Sequence, residues 1–321
     1  MKSNIAKPKR ENLITIITYH YVRDISNSRY KKIKGRTIDT FKRQIKYIKN
    51  NYTPIGINEL ISILDEGEKL RANAILLTFD DGYIDHYTNV FPILDDHKIS
   101  GTFFPSGEAI TDRKVLDVNK IHFLLASVEN TTRLIHEIYE FLDEYRQHYS
   151  LESNESYYSR LAHPNAYDTA DVIFVKRLLQ RELPEPVRLR LINRLFSQYV
   201  TADEESFASE LYMNIDQMRC MKRHGMFFGS HGYSHYWMDS LSSDKQEEDI
   251  KLSLSFLKNI GEDTDNWIMC YPYGGYNKSL LNVLRNNGCR FGFTTHHAVA
   301  NIVKDDPLLL PRIDTNEIPV E

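Results

Sequence analysis

The sequence predicts an α/β fold, a parallel sheet or barrel wrapped by helices, and three observations carry that expectation. Seven short runs rich in β-branched and aromatic residues recur: LITIITYHYV (13–22), AILLTF (74–79), SGTFFPS (100–106), MFFGS (226–230), WIMCYPY (267–273), RFGFTTH (290–296) and LLLPRID (308–314). Several are apolar on successive residues, the pattern of strands covered on both faces. Amphipathic segments lie between them, and one long stretch then breaks the rhythm.

Taken in order, the run at 13–22 is followed by TFKRQIKYIKNN (40–51) and INELISILDEG (57–67), both at helical spacing. The run at 74–79 leads into HYTNVFPILDDHK (86–98), and that at 100–106 into the long stretch. After 226–230 comes DKQEEDIKLSLSFLKNIG (244–261), and after 267–273 comes NKSLLNVLRNNG (277–288). A glycine closing such a segment is a normal helix stop. Strand–helix alternation of this kind is the signature of an α/β domain. Within 108–210 the pattern differs: NKIHFLLASVENTTRLIHEIYEFLDEYRQHY, DVIFVKRLLQREL and EPVRLRLINRLFSQYV are amphipathic helices with no convincing strand among them. That stretch is expected to be a helical insertion, leaving 1–107 and 211–321 as the main domain.

Bulk properties narrow the function. A chain of 321 residues can bury a large core. Its net charge of −4 gives no footprint for nucleic acid or an anionic membrane. The KPKR cluster at 7–10 reads as a solvated tail. No apolar stretch reaches the roughly 18 residues of an integral membrane span. The start, MKSNIAKPKRENLITIITYHYV, places its apolar run after a polar segment and is unlike a signal peptide. Three widely spaced cysteines (Cys220, Cys270, Cys289) build no disulfide framework. A cytoplasmic location is expected.

Three motifs carry chemistry. LLTFDDGY (76–83) puts Asp80 and Asp81 at the end of a strand, directly before Gly82. In (β/α) barrels the carboxyl ends of strands gather the catalytic groups; an isolated Asp-Asp-Gly is also an ordinary turn. GSHGYSHYWMDSL (229–241) holds His231 and His235 four residues apart, directly after a strand. Two such imidazoles can reach one ion, although the spacing also occurs by chance on solvated helices. Two histidines and one carboxylate make a three-ligand set with an open position, the pattern of a catalytic metal site. A cation there neutralises one aspartate and leaves the other free to accept a proton from water at the ion. CYPYGGYN (270–277) forces a turn with exposed amides at another strand end, suited to holding an oxyanion or to packing a rim.

TFDDGY, SHGYSH and YPYGGY, in this order and each at a strand end, resemble the motifs of the polysaccharide deacetylase family (carbohydrate esterase family 4, the NodB-homology domain). The resemblance covers about 13–107 and 212–314 and leaves the insertion outside. It implies a distorted (β/α)7 TIM-like barrel, with which seven strand-like runs agree. It also implies hydrolysis of an N-acetyl group on an amino sugar, helped by a divalent metal, by family habit zinc, with cobalt, nickel, iron and manganese also suited to the ligands. Asp80 then matches the catalytic base, and Asp81, His231 and His235 match the metal ligands. Tyr273 matches the residue whose backbone N–H stabilises the oxyanion. Tyr83, Gly274 and His20 are expected on the substrate side.

Two departures stand out. The family's third motif commonly opens with an arginine that holds the base, and Cys270 occupies that position here; Arg312, ending the last strand-like run, is the expected substitute. The usual leucine–x–histidine motif for the general acid is absent. His296 and His297 end the penultimate run, and strand alternation sends them to opposite faces, while His20 ends the first. These three histidines are the candidates, each also readable as an ordinary structural histidine, and the acid stays unassigned.

Without an export signal, a nucleotide- or lipid-linked sugar precursor of a surface glycan is the expected substrate. The insertion is expected to serve as a lid, a recognition element or a homodimer contact. Deformylation or cleavage of another non-peptide amide uses the same site, and a degenerate glycan-binding domain is the non-enzymatic alternative.

Overall fold

The computed structural model describes residues 12–165 and 167–320, so the basic cluster at 7–10 lies outside the described residues. Among the described residues the strands are β1 (Leu13–Tyr19), β2 (Thr53–Pro54), β3 (Ala74–Asp81), β4 (Gly101–Pro105), β5 (Phe227–Phe228), β6 (Ile268–Cys270), β7 (Phe291–Phe293), β8 (Ala300–Asn301) and β9 (Ile313–Asp314). Parallel ladders join β9 to β1, β1 to β3, β3 to β4 and β4 to β5. A separate parallel ladder joins β6 to β7. Two isolated parallel bridges connect these sets, Ser230 with Met269 and Phe293 with Leu310. At them Cys270 N–H donates to the Ser230 carbonyl and Leu310 N–H to that of Gly292, both at 2.8 Å. All seven sequence runs thus follow one another around a (β/α) ring, and its distortion is the thinning of pairing to one bridge at two joints. Two short strands lie outside this circuit: β2 pairs with the start of β3, and β8 runs antiparallel to β1.

Continuous apolar runs follow from this geometry. Side chains alternate across a strand, and both sides are buried. Ile14, Ile16, Leu76, Phe104, Phe227, Ile268 and Phe291 belong to one apolar cluster. Their neighbours Ile17, Leu77, Phe103, Phe228 and Met269 belong to another, with Phe41, Ile45, Leu94, Met218, Ile250 and Leu284 from the surrounding helices. The helix Ile38–Asn51 begins at Thr37, whose hydroxyl accepts from Thr40 N–H, and Ile57–Glu66 ends at Gly67 in the left-handed region (φ 68°).

Three local outcomes differ from the sequence expectation. The segment at 86–98 is a π turn, His86–Val90, followed by a short α-helix, Phe91–Asp96. Pro92 lacks the N–H that would bond to Thr88, and the Phe91 N–H reaches back to the His86 carbonyl instead. β6 and β7 are only three residues each, so 271–273 leaves the strand and enters the 3-10 turn Pro272–Gly274, and 294–296 are loop. The chain also divides into two compact units with other limits: one of residues up to 23, 35–112 and from 209 on, the other of 24–34 with 113–208. The second unit has its own core, with Ile121, Leu134, Ile138, Leu142, Phe174, Leu178, Leu191 and Leu195 from its helices. Segment 24–34, expected in the barrel, belongs to this helical unit. No helix among the described residues is long and apolar enough to cross a membrane.

Candidate active site

Asp80 and Asp81 close β3, and both are 2% exposed. Asp80 shares the strand face of Thr78, by the alternation of the pleat. There Arg312 forks onto it, Nη1 donating to Oδ1 at 2.9 Å and Nη2 to Oδ2 at 2.7 Å. Arg312 Nη1 also donates to Thr78 Oγ1 at 3.1 Å, and its Nε to the Thr294 carbonyl at 3.2 Å. The Cys270 thiol lies 3.6 Å from Asp80 Oδ1, and the Thr18 hydroxyl donates to Oδ2 at 3.3 Å. Burial alone would raise the Asp80 carboxyl, but the Arg312 charge, with His231 and His20, holds it below the usual carboxylate range.

Asp81 leaves strand geometry, with φ at +73°. Its Oδ1 is 3.4 Å from His231 Nε2 and 3.4 Å from His235 Nε2. Its Oδ2 accepts a short hydrogen bond from the Tyr83 hydroxyl. His231 Nδ1 donates to the Cys270 carbonyl at 2.8 Å, which turns Nε2 toward Asp81. Burial opposes charge on this imidazole, but Cys270, Asp81 and Asp80 raise it well above its ordinary value, so a cation bound at Nε2 would take the place of a proton. Burial opposes ionisation of Asp81, and the contacts from His231 and His235 outweigh it, keeping the carboxyl well below its ordinary value. Burial lowers His235, favouring the neutral imidazole that a ligand must be.

These three side chains fit a divalent cation. For tetrahedral coordination with bonds of roughly 2.0–2.2 Å, neighbouring ligand atoms sit about 3.3–3.6 Å apart. Both Nε2···Oδ1 separations fall there, and both exceed good hydrogen-bond lengths. Asp81, His231 and His235 are one of two buried groups among the described residues with metal-ligand spacing; Asp80, His231 and Cys270 form the other. In that second group the Asp80 oxygens already carry Arg312.

The His231–His235 loop is held from outside. Asp249, on the helix Ser243–Ile260, accepts from Tyr233 N–H at 2.8 Å and Ser234 N–H at 3.1 Å. Nothing in the sequence flagged Asp249, because its signal is an acid on an amphipathic helix. Tyr273 sits in the turn Pro272–Gly274 with φ 57°. Its ring meets His235 edge-on at 4.9 Å and stacks on Trp237 at 4.5 Å. Gly274 gives its N–H to the Tyr271 carbonyl at 2.9 Å, and a Cβ there would strike Thr295 at 2.2 Å.

Among the three candidate acids, His20 is the one beside the carboxylates. Its Nε2 lies 3.9 Å from Asp80 Oδ2, and its side chain is 47% exposed. His296 and His297 are exposed, and His297 pairs with Glu317. Neither makes a hydrogen bond or ion pair to Asp80, Asp81, His231 or His235 among the described residues. The alternation argument fails for them because β7 stops at Phe293. Tyr83, expected to face substrate, has no exposed surface; it reaches Asp81 from within the protein. Burial, then the Asp81 charge, pushes its phenol well above the ordinary value, so it stays a donor.

A buried carboxylate–imidazole cluster that could hold a metal ion thus lies at the strand ends of a (β/α) ring, with a second carboxylate alongside. A family model described as polysaccharide deacetylase matches residues 67–160 and 197–292, and the chain belongs to that family. Over 103 residues it is 30% identical to the poly-beta-1,6-N-acetyl-D-glucosamine N-deacetylase of Escherichia coli K12, covering 32% of this chain and 15% of that protein. Over 105 residues it is 27% identical to a putative polysaccharide deacetylase of Bacillus subtilis, covering 32% and 36%. The matches thus span well under two-thirds of these relatives. Among solved structures, the Streptococcus pyogenes deacetylase PplD aligns with a TM-score of 0.58 at 19% identity, over 94% of this chain and 92% of that one. IcaB from Ammonifex degensii aligns at 0.56 and 18%, over 95% and 92%. At such identities the likeness concerns the fold.

Proposed function

We propose that this chain is a metal-dependent hydrolase that removes the acetyl group from an N-acetylated amino sugar of a glycan. The observation that carries the reading is the convergence of Asp81, His231 and His235 at coordination spacing, with Asp80 ionised beside them. Those three side chains would hold a divalent cation, which would supply Lewis-acid polarisation of the amide carbonyl and a lowered pKa for water. Zinc suits the two-nitrogen, one-oxygen set, as do cobalt, nickel, iron and manganese.

This chain's own residues supply the rest. Asp80 accepts the proton of the attacking water, while the Arg312 fork fixes its orientation and keeps it ionised. The Tyr273 N–H is the donor for the developing oxyanion. His20, nearest of the histidine candidates, returns a proton to the departing amine. Tyr83 and the Cys270 carbonyl orient Asp81 and His231.

The named substrate of the Escherichia coli relative supports N-acetylglucosamine as the sugar. Whether the acceptor is polymer or a nucleotide- or lipid-linked precursor is part of the test. Purified protein loaded with zinc is incubated with N-acetylglucosamine oligomers and with linked N-acyl sugars, and products are read by mass spectrometry. Loss of one acetyl group is expected, formate release points to deformylation, and a metal-loaded protein inert on every compound overturns the proposal. Asp80→Asn should abolish turnover with metal retained; Asp81→Ala and His235→Ala should lose the metal.

A further inference from the structure

We propose that His86 is a positioning residue for His20, holding the strand-end backbone so that the His20 imidazole stands over Asp80. The inference rests on the reading of His20 as proton donor. His86 is fully buried, five residues after Asp81, at the start of the π turn. Its Nε2 is 2.9 Å from the His20 carbonyl oxygen. A carbonyl only accepts, so Nε2 carries the proton and Nδ1 bears the lone pair. That Nδ1 is buried and meets no hydrogen-bond partner among the described residues. Phe79, Tyr83 and Phe103 box the ring, with centroids 5.6, 5.5 and 5.7 Å away.

An apolar box with an orphaned acceptor is a poor site for an imidazole if packing were its only purpose, since a buried unpaired acceptor costs stability. Phenylalanine would fill the space without that cost. What phenylalanine cannot do is donate to residue 20. Burial lowers the His86 pKa to about 4, so the ring stays neutral and keeps a single donor.

The same turn grips the neighbouring backbone twice more. Asn89 Nδ2 donates to the Val22 carbonyl at 2.8 Å, and Arg23 forks onto Asp85 at 2.7 and 3.0 Å. Residues 85–89 therefore clip residues 20–23, and His86 holds the link closest to the catalytic end. His20 needs it. Among the described residues its half-exposed ring approaches one carboxylate, Asp80 at 3.9 Å, so we take the backbone beneath it to bear on where it stands.

The test compares His86→Phe, His86→Gln and His20→Ala in the full, metal-loaded chain. His86→Phe should lower kcat roughly tenfold to a hundredfold, the scale of a misplaced catalytic group. KM, metal content and melting temperature should hold, or the melting temperature should rise as the orphaned acceptor goes. His86→Gln, whose amide nitrogen can reach the same carbonyl, should recover most of the loss. Wild-type kcat in His86→Phe, or a loss in both variants that tracks a lower melting temperature, overturns the proposal. His20→Ala separates the two levels: full activity there removes the donor reading and this inference with it, whereas loss there with an active His86→Phe removes this inference alone. Nitrogen-15 NMR gives a check independent of any variant, since a proton on Nδ1 of His86 contradicts the arrangement.

Discussion

Replacing Arg312 by methionine keeps most of the stem volume and deletes the charge that faces Asp80. The wild-type pair is bidentate at 2.9 and 2.7 Å, and its side chains are 3% and 2% exposed. Breaking such a pair from one side leaves an uncompensated buried carboxylate and costs roughly 3–5 kcal/mol. Asp80 can escape part of that cost by taking up a proton, because burial, the largest influence on it, is then unopposed by Arg312. The sign follows from linkage. A carboxyl depressed in the folded state stabilises the fold above its unfolded pKa of about 3.9 and loses that contribution as pH falls through the folded value. Arg312→Met should therefore be destabilised at pH 7 and converge on wild type in strong acid. A base that now holds its proton more tightly moves the acidic limb of the pH–rate profile upward. Urea unfolding of the metal-loaded protein at several pH values, with the rate profile, measures both effects. A double-mutant cycle with Asp80→Asn should show coupling of about 1–3 kcal/mol. Stability within about 1 kcal/mol of wild type at pH 7, with an unmoved acidic limb, refutes the reasoning.

Three further outcomes are expected. Tyr83→Phe removes the donor to Asp81 Oδ2 and should weaken metal affinity about 10–100-fold, read by competition with a chromogenic chelator; unchanged affinity contradicts the orienting role. Chelation of the bound ion should lower the melting temperature, and zinc at about 100 times its Kd should restore about 2.7 kcal/mol of unfolding free energy. Asp249→Ala strips the acceptor from the Tyr233 and Ser234 N–H groups and should cost about 1–3 kcal/mol. It should also loosen metal binding, because His235 follows directly in the same loop.

The convergence of Asp81, His231 and His235 was legible because each motif sits at a strand end, where a ring of parallel strands brings distant segments together; their catalytic roles belong to the proposal. Arg312 was legible for the same reason. What the sequence hid is local and three-dimensional. His296 and His297 read as the end of a strand because RFGFTT, just before them, is β-prone throughout, yet pairing stops at Phe293. Segment 24–34 carries no apolar period to assign it to the helical unit. The π turn at His86 has only Pro92 as its sign. Tyr83 looked like a substrate contact because it ends the aspartate motif, and only burial shows that it serves Asp81 from below.

Backbone conformation explains how two adjacent aspartates share one site. Side chains of consecutive strand residues point apart, so a regular strand would aim Asp81 away from the face Asp80 occupies. The left-handed φ of +73° at Asp81 breaks that rule. His235 and Tyr273 take the same region, at 55° and 57°, and each such residue costs roughly 1–2 kcal/mol unless glycine. The strain persists because contacts hold it: Tyr83 on Asp81, Asp249 on the histidine loop, Trp237 on Tyr273. Tyr273 separates backbone from side chain, since its proposed role uses only the N–H. Tyr273→Gly keeps that N–H and relieves the strain while losing the ring; Tyr273→Ala loses the ring and keeps the strain. Turnover should therefore fall in the order wild type, glycine, alanine, and an alanine variant faster than the glycine variant contradicts the claim that this conformation is strained and functional.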